Sequence, residues 1–360
     1  MQGNSTMTVS GFRSLIRGKN VVYITVKNKD YIRTVQIKRI IREESAGYRM
    51  YRSERKNPLD RAGSLRRRIM KMDFSDADVI ILGFLPQLLI PMVEKRLRAT
   101  QRGAGKKPVI IAEMFLSLYD TVVLDRRLVE DGRHLASILR HLDKRAIESA
   151  DLVVTDTKAN AGYLAALYGA DQGRFETLYL EADRSIYNVD EPKPQDIIDA
   201  ISAENGRNKV GDGKTVSVLY FGTGLPLQGT DVILEAFELA SGDGKRHFTF
   251  IGSLKGIPKD GVKKARMNPD IELIDWLTQK ELADRIAGAD LCIAGHFNTY
   301  IGKADRTIPG KAFIYDAMKK PMILGDTKAN REVFKEDSRH IFVKRGNAEA
   351  LAECIKRFHL

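Results

Sequence analysis

The chain has 360 residues, 43% of them apolar and 29% charged, which excludes a disordered protein and allows two ordinary domains, each with its own core. Apolar runs such as VIILGF and PVIIA are too short to cross a bilayer, and two cysteines, Cys292 and Cys354, exclude a disulfide framework. The formal charge of +12 asks for an anionic partner, and the cysteine usage points to a reducing cytoplasm.

Strand candidates alternate with helical patterns almost throughout. VVYITV (21–26) comes first, and the basic excess follows it. From Arg33 to Lys71, through Arg39, Arg49, Arg61, Arg66, Arg67 and Arg68, cations outnumber the carboxylates Glu43, Glu44, Glu54 and Asp60. Such a field suits an anionic membrane surface or a phosphorylated substrate. It lacks the interleaved aromatics of a nucleic-acid platform, so no nucleic acid is expected as a partner. ADVIILGF (77–84), PVIIAEMF (108–115), ADLVVTD (150–156) and FETLYLE (175–181) continue the series, apolar on both faces as covered parallel strands are. Residues 188–214 gather proline, glycine and polar residues and read as a linker or hinge. The pattern restarts with VSVLYFG (216–222), HFTFIG (247–252), IELIDWL (271–277), ADLCIAG (289–295), PMILGD (321–326) and IFVKRG (341–346). The spacing predicts an α/β protein of two doubly wound, Rossmann-like domains facing across a cleft, residues 1–187 and 215–360.

In such sheets ligands bind at the carboxyl ends of strands. GTGLPLQG follows LYF, so Gly222, Thr223 and Gly224 form a tight turn, with Gln228 just before the next helix. That turn offers backbone N–H groups to a phosphate, although strand-to-helix turns need glycine for geometry alone. A second polar segment carries His296, Lys303, Arg306, Pro309 and Lys311. Pro309 suits a helix start, which puts Lys311 near the positive end of a helix dipole. Two cations and a helix start aimed at the same place make a diphosphate the economical ligand. His296 follows ADLCIAG, at the strand end that faces the expected cleft. The Asp-x-Asp run at 76–78 precedes its strand and therefore lies at the wrong end for metal chemistry, so no metal site is expected.

The ordered set LYFGTGLPLQGTDVILEAF, FTFIGS, IELIDWLTQKELADRIAGADLCIAGHF, KADRTIPGKAF, KKPMILGD and GNAEALAECI resembles the donor domain of GT-B glycosyltransferases, specifically the bacterial, retaining branch of glycosyltransferase family 4. Upstream, FLSLYDTVVLDRR and LDKRAIESADLVVTDTKANAGYL resemble the same family, so the likeness runs from about residue 108 to 356. It implies an N-terminal acceptor-side domain and a C-terminal domain that binds a nucleoside diphosphate sugar, of open base, as substrate rather than cofactor. Arg306 and Lys311 would stabilise the departing diphosphate. Gly222, Thr223, Gly224, Gln228, Gly252, His296 and Pro309 would line the donor, and Trp276, Leu277 and Thr278 would face the base. Glu113, Asp120, Asp125 and Arg126 would line the acceptor side. The acceptor would be a saccharide or a lipid-linked glycan of the cell surface, met in the cytoplasm or peripherally at the inner membrane face, with a partner transferase as a further candidate.

The sequence departs from that pattern in places. The family often has a glutamate for the ribose hydroxyls seven residues before the proline of KP, where Ile314 stands here; Asp316 is the nearest carboxylate. Gln228 stands where a basic residue is frequent. Two other readings therefore stay open: a non-catalytic GT-B partner or binding protein, and a nucleotide-sugar epimerase.

Overall fold

A computed structural model describes residues 7–26, 31–53, 58–100, 107–188 and 215–359. The chain divides into two compact units. The first holds Met1–Glu181 together with Ile301–Ile308, and the second holds Ala182–Tyr300 and Pro309–Leu360. The expected linker, 188–214, lies outside the described residues except for Asn188.

The first unit runs α1 (Met7–Ile16), β1 (Asn20–Thr25), α2 (Ile32–Glu44), β2 (Gly47–Arg52), α3 (Pro58–Ile69), β3 (Val79–Gly83), α4 (Pro86–Thr100), β4 (Val109–Glu113), α5 (His134–Ser149), β5 (Leu152–Thr155), α6 (Lys158–Tyr168) and β6 (Phe175–Thr177). The strands make one parallel six-stranded sheet in the order β2-β1-β3-β4-β5-β6. Strand β3 is buried at every position, because both faces of the sheet are covered by helices. One apolar cluster gathers Val22, Ile24, Ile80, Leu82 and Ile110 with α3, α4 and α5; the other gathers Val21, Tyr23, Ile81 and Ile111 with α1 and α2.

Strand β2, GYRMYR, was not predicted. It lies at the sheet edge and is mostly half-exposed, so it needs no continuous apolar run. Part of the expected basic field is engaged in contacts. Arg33 is buried and paired with Glu113 at 3.2 Å. Arg49 pairs with Asp76 at 2.6 Å, Arg39 pairs with Glu181, and Arg61 and Arg68 donate to the Val26 and Arg52 carbonyls. Arg55 and Lys56 lie outside the described residues.

The second unit runs β7 (Val216–Gly222), α7 (Thr230–Ala240), β8 (Arg246–Gly252), α8 (Lys259–Met267), β9 (Ile271–Ile274), α9 (Gln279–Gly288) and β10 (Leu291–Gly295). After the short helix α10 (Lys303–Arg306), which packs with the first unit, come α11 (Gly310–Ala317), β11 (Met322–Gly325), α12 (Lys328–Val333), β12 (His340–Val343) and α13 (Ala348–Arg357). Its sheet is again parallel and six-stranded, in the order β12-β11-β10-β7-β8-β9. The order reverses beside β7, which places a topological switch point at the carboxyl ends of β7 and β10. Helix ends are closed by side chains: Lys320 donates to the Ala287 and Ala289 carbonyls at the end of α9, and the buried Arg246 does the same for Ile355 and Lys356 at the end of α13. Among the described residues no helix is long and apolar enough to cross a membrane.

Candidate active site

The carboxyl end of β7 is built from backbone. Gly224 and Gly229 have φ of 70° and 65°, and Gly252, at the end of β8, has φ of 132°. A Cβ on Gly252 would lie 1.8 Å from the Gly222 carbonyl oxygen, so the two strand ends touch through main chain alone. Gly252→Ala is expected to destabilise the protein by about 3 kcal/mol or more, measured by urea unfolding, because clash and left-handed backbone act together.

Beneath this turn three side chains converge. A Cβ on Gly222 would meet the Tyr220 hydroxyl at 2.3 Å, Gln228 Oε1 at 2.6 Å and Lys311 Nζ at 2.9 Å. The Tyr220 hydroxyl donates to Gln228 Oε1 at 2.8 Å, which leaves Lys311 unserved. Its side chain is 5% exposed, its ammonium has no hydrogen-bond partner, and Nζ sits 3.8 Å from the centre of the Tyr220 ring. Burial pushes the Lys311 pKa well below the ordinary lysine value. Two helices start beside this point, α7 after Gly229 and α11 after Pro309, and neither has a side-chain cap. Orphan N–H groups and a buried amine without a counter-ion, which an anion beside it would keep protonated, describe an anion site.

The other expected donor residues differ in their surroundings. Trp276 lies just beyond β9 and is 74% exposed, with Leu277 beside it. Thr278 caps α9 in a reciprocal box with Glu281, which uses both its hydroxyl and its amide. His296 is buried at the end of β10. Asp316 faces His340 Nε2 at 3.2 Å and Arg339 at 3.6 Å. Ile314 is buried in the core of the unit. Ile314→Glu is therefore expected to cost at least about 3 kcal/mol at neutral pH, because the carboxylate gains no partner. Its pKa in the folded state would rise, so the melting-temperature deficit should shrink as pH falls toward the ordinary glutamate value of about 4.3.

The first unit carries a second polar cluster. Asp120–Asp125 forms a single π-helical turn, a form frequent at functional sites. Arg306 Nη2 donates to Asp120 Oδ1 at 2.8 Å, and its guanidinium lies 3.5 Å over the Tyr163 ring. The Tyr163 hydroxyl donates to Asp120 as well, at 3.3 Å, and Lys303 donates to Thr121 at 3.3 Å. Burial raises the Asp125 pKa, opposed by Lys303; Arg126 is exposed. Glu113 ends β4, and burial pushes its pKa up to about 7 despite the opposing charge of Arg33. Arg306 and Lys311, expected on one diphosphate, thus fall in different units, and Arg306 already holds a carboxylate.

Sequence reasoning missed Asp143. It is fully buried on α5 and accepts from Gln87 Nε2, Ser117 Oγ, the Leu118 and Tyr119 amides and the Tyr168 hydroxyl, all within 2.7–3.0 Å. It fastens the loop that enters the π-helical turn. Among the described residues no group of histidines, cysteines and carboxylates could hold a metal ion.

Residues 215–359 match the family model described as glycosyl transferases group 1. Across the whole chain the fold resembles that of Anabaena HepE (Alr3699), solved with UDP and glucose, at 12% identity, 94% coverage of this chain, 89% of that one and a TM-score of 0.62. Sucrose-phosphate synthase from Thermosynechococcus elongatus gives the same identity, coverages and TM-score. WaaG, a glycosyltransferase of lipopolysaccharide biosynthesis, gives 12%, 94%, 90% and 0.59. The fold is GT-B. In GT-B terms the family match covers the unit that contains Lys311 and the glycine turn. No curated protein matches the sequence.

Proposed function

We propose that the protein is a retaining glycosyltransferase that moves a sugar from a nucleoside diphosphate donor to a saccharide or lipid-linked acceptor. The observation that carries this reading is Lys311: a buried amine without a counter-ion, set under a glycine turn and beside two uncapped helix starts. The family match over the same unit supports it, as do the UDP and UDP-glucose bound by HepE in the same fold. In this reading the β-phosphate lies against the Gly222–Gly224 turn, and Lys311 with the α11 start stabilises the charge that develops as the sugar–oxygen bond breaks. That leaving oxygen takes the acceptor proton, so no protein base is required. Trp276 offers an exposed ring to the nucleobase. Asp120, Asp125, Arg126 and Glu113 belong to the acceptor side, with Arg306 holding Asp120 in place until a phosphate competes for it.

A thermal-shift screen with nucleoside diphosphates, the matching nucleosides and a panel of nucleotide sugars tests the reading. A ligand at a hundred times its dissociation constant stabilises by about 2.7 kcal/mol, an easily measured shift. A diphosphate-dependent shift followed by sugar transfer supports the enzyme. The buried Ile314 and the neutral Gln228 favour a second reading, a non-catalytic GT-B binding protein, and a nucleotide shift without turnover would select it.

A further inference from the structure

Tyr220, Gln228 and Lys311 all reach the same point beside Gly222, yet only two of the three are paired. The Gln228 carbonyl is an acceptor of the kind a buried amine needs, and it is buried as well. The end torsion of a glutamine is soft, so the direction of its oxygen is set by its partner. Here the partner is the Tyr220 hydroxyl, which donates to Oε1 at 2.8 Å. That hydroxyl is itself held fast: Tyr220 is fully buried on β7, and its ring packs on Phe250 of β8 with centroids 4.8 Å apart. Among the described residues no charged group acts on Lys311, and burial alone lowers its pKa. The titratable groups around it are Tyr220 on β7, Tyr315 one turn on along α11, and Cys292 on β10, which acts on Tyr315. Burial keeps all three neutral.

We propose that Tyr220 is a positioning residue for the anion site: its hydroxyl holds the Gln228 oxygen away from Lys311 and so keeps the amine without an internal partner until an anion binds. The ring of the same residue lies 3.8 Å from Nζ. One side chain therefore covers the lysine and withholds the acceptor that would satisfy it. An internal partner would stabilise the ligand-free protein, and that gain would be given up when an anion took the amine. An unserved amine transfers the gain to the complex instead, which is preorganisation by omission. The inference deepens the nucleotide reading and rests on it for the identity of the anion.

Tyr220→Phe tests this, because it keeps the covering ring and removes only the hydroxyl. The freed Gln228 oxygen is expected to turn to Lys311 and favour its charged form, so Lys311 should titrate at higher pH than in the parent. NMR of full-length protein carrying lysine labelled at Cε reads this without any nucleotide, the Lys311 resonance being the one that Lys311→Met loses. In calorimetry the variant should bind a nucleoside diphosphate about tenfold more weakly and take up less proton, with nucleoside binding unchanged. Tyr220→Phe combined with Gln228→Met removes the acceptor too, and should return both the titration and the affinity toward the parent. A packing role for Tyr220 predicts the opposite, since a second substitution would add to the damage. An unchanged Lys311 titration in Tyr220→Phe overturns the proposal, as does undiminished diphosphate affinity. So does a folded double variant that behaves as the single one; if the double variant does not fold, the single variant decides. Should the parent bind no nucleoside diphosphate, the nucleotide reading fails, while the ligand-free titration still decides the role of Tyr220.

Discussion

Lys311→Met is expected to make the protein more stable and a weaker binder of nucleoside diphosphates. The wild-type side chain is buried with no hydrogen-bond partner, and an apolar side chain of similar length removes the polar group while keeping the volume. Relieving one unsatisfied buried group should add about 1–3 kcal/mol in chemical unfolding. The same change should weaken diphosphate binding by about 10–100-fold, the worth of one charge-assisted contact, and leave nucleoside binding unaltered in calorimetry. The two effects have a common pH signature. Because burial lowers the folded-state pKa of Lys311 below its unfolded value of 10.5, the unfolded chain binds the extra proton between those limits. Wild-type stability therefore rises with pH toward 10.5, and the variant should lose that part of the slope. A phosphate beside Nζ favours the charged form, so diphosphate binding by the wild type should take up a proton, detected as buffer-dependent binding enthalpy. Equal losses for diphosphate and nucleoside would remove Lys311 from the phosphate site.

Asp143→Ala should produce the largest loss of stability, about 3–5 kcal/mol by urea unfolding. Five donors lose their common acceptor, and two of them, the Leu118 and Tyr119 amides, are backbone groups that cannot turn away. The loss should be local before it is global. Amide exchange should accelerate through 117–125, where the loop leads into the π-helical turn bearing Asp120, while β7 to β10 stay protected. Asp143→Asn keeps one acceptor oxygen but places an amide among donors, so it should recover only part of the deficit.

The parallel strands were legible because burial on both faces forces continuous apolar runs, as in VIILG and LCIAG. Strand β2 was not, since an edge strand that mixes arginine with tyrosine and methionine satisfies no such rule. At the site, the helix start at Pro309–Lys311 was readable from local chemistry. The burial of Lys311 was not, because Tyr220, which covers it, comes from a strand far earlier in the chain. Asp143 shows the same limit from the other side. Its neighbours in HLDKR suggest a solvated helix face, and all five of its donors arrive from other segments. Ile314 was read by position in a motif, whereas its surroundings make it part of a core.

The short segment 301–308 has a consequence for anyone who would divide the molecule. The backbone changes unit at Glu181–Ala182, again at Tyr300–Ile301 and once more at Ile308–Pro309. A gene split within 188–214 therefore does not yield two self-sufficient halves. The N-terminal fragment would keep a buried Asp120 without the guanidinium that neutralises it and a Tyr163 ring without its cation. The C-terminal fragment would carry α10 with nothing to pack on. Such fragments should be soluble and functional when co-expressed and poor folders when made separately. A cut in the chain would then be tolerated where a missing piece is not.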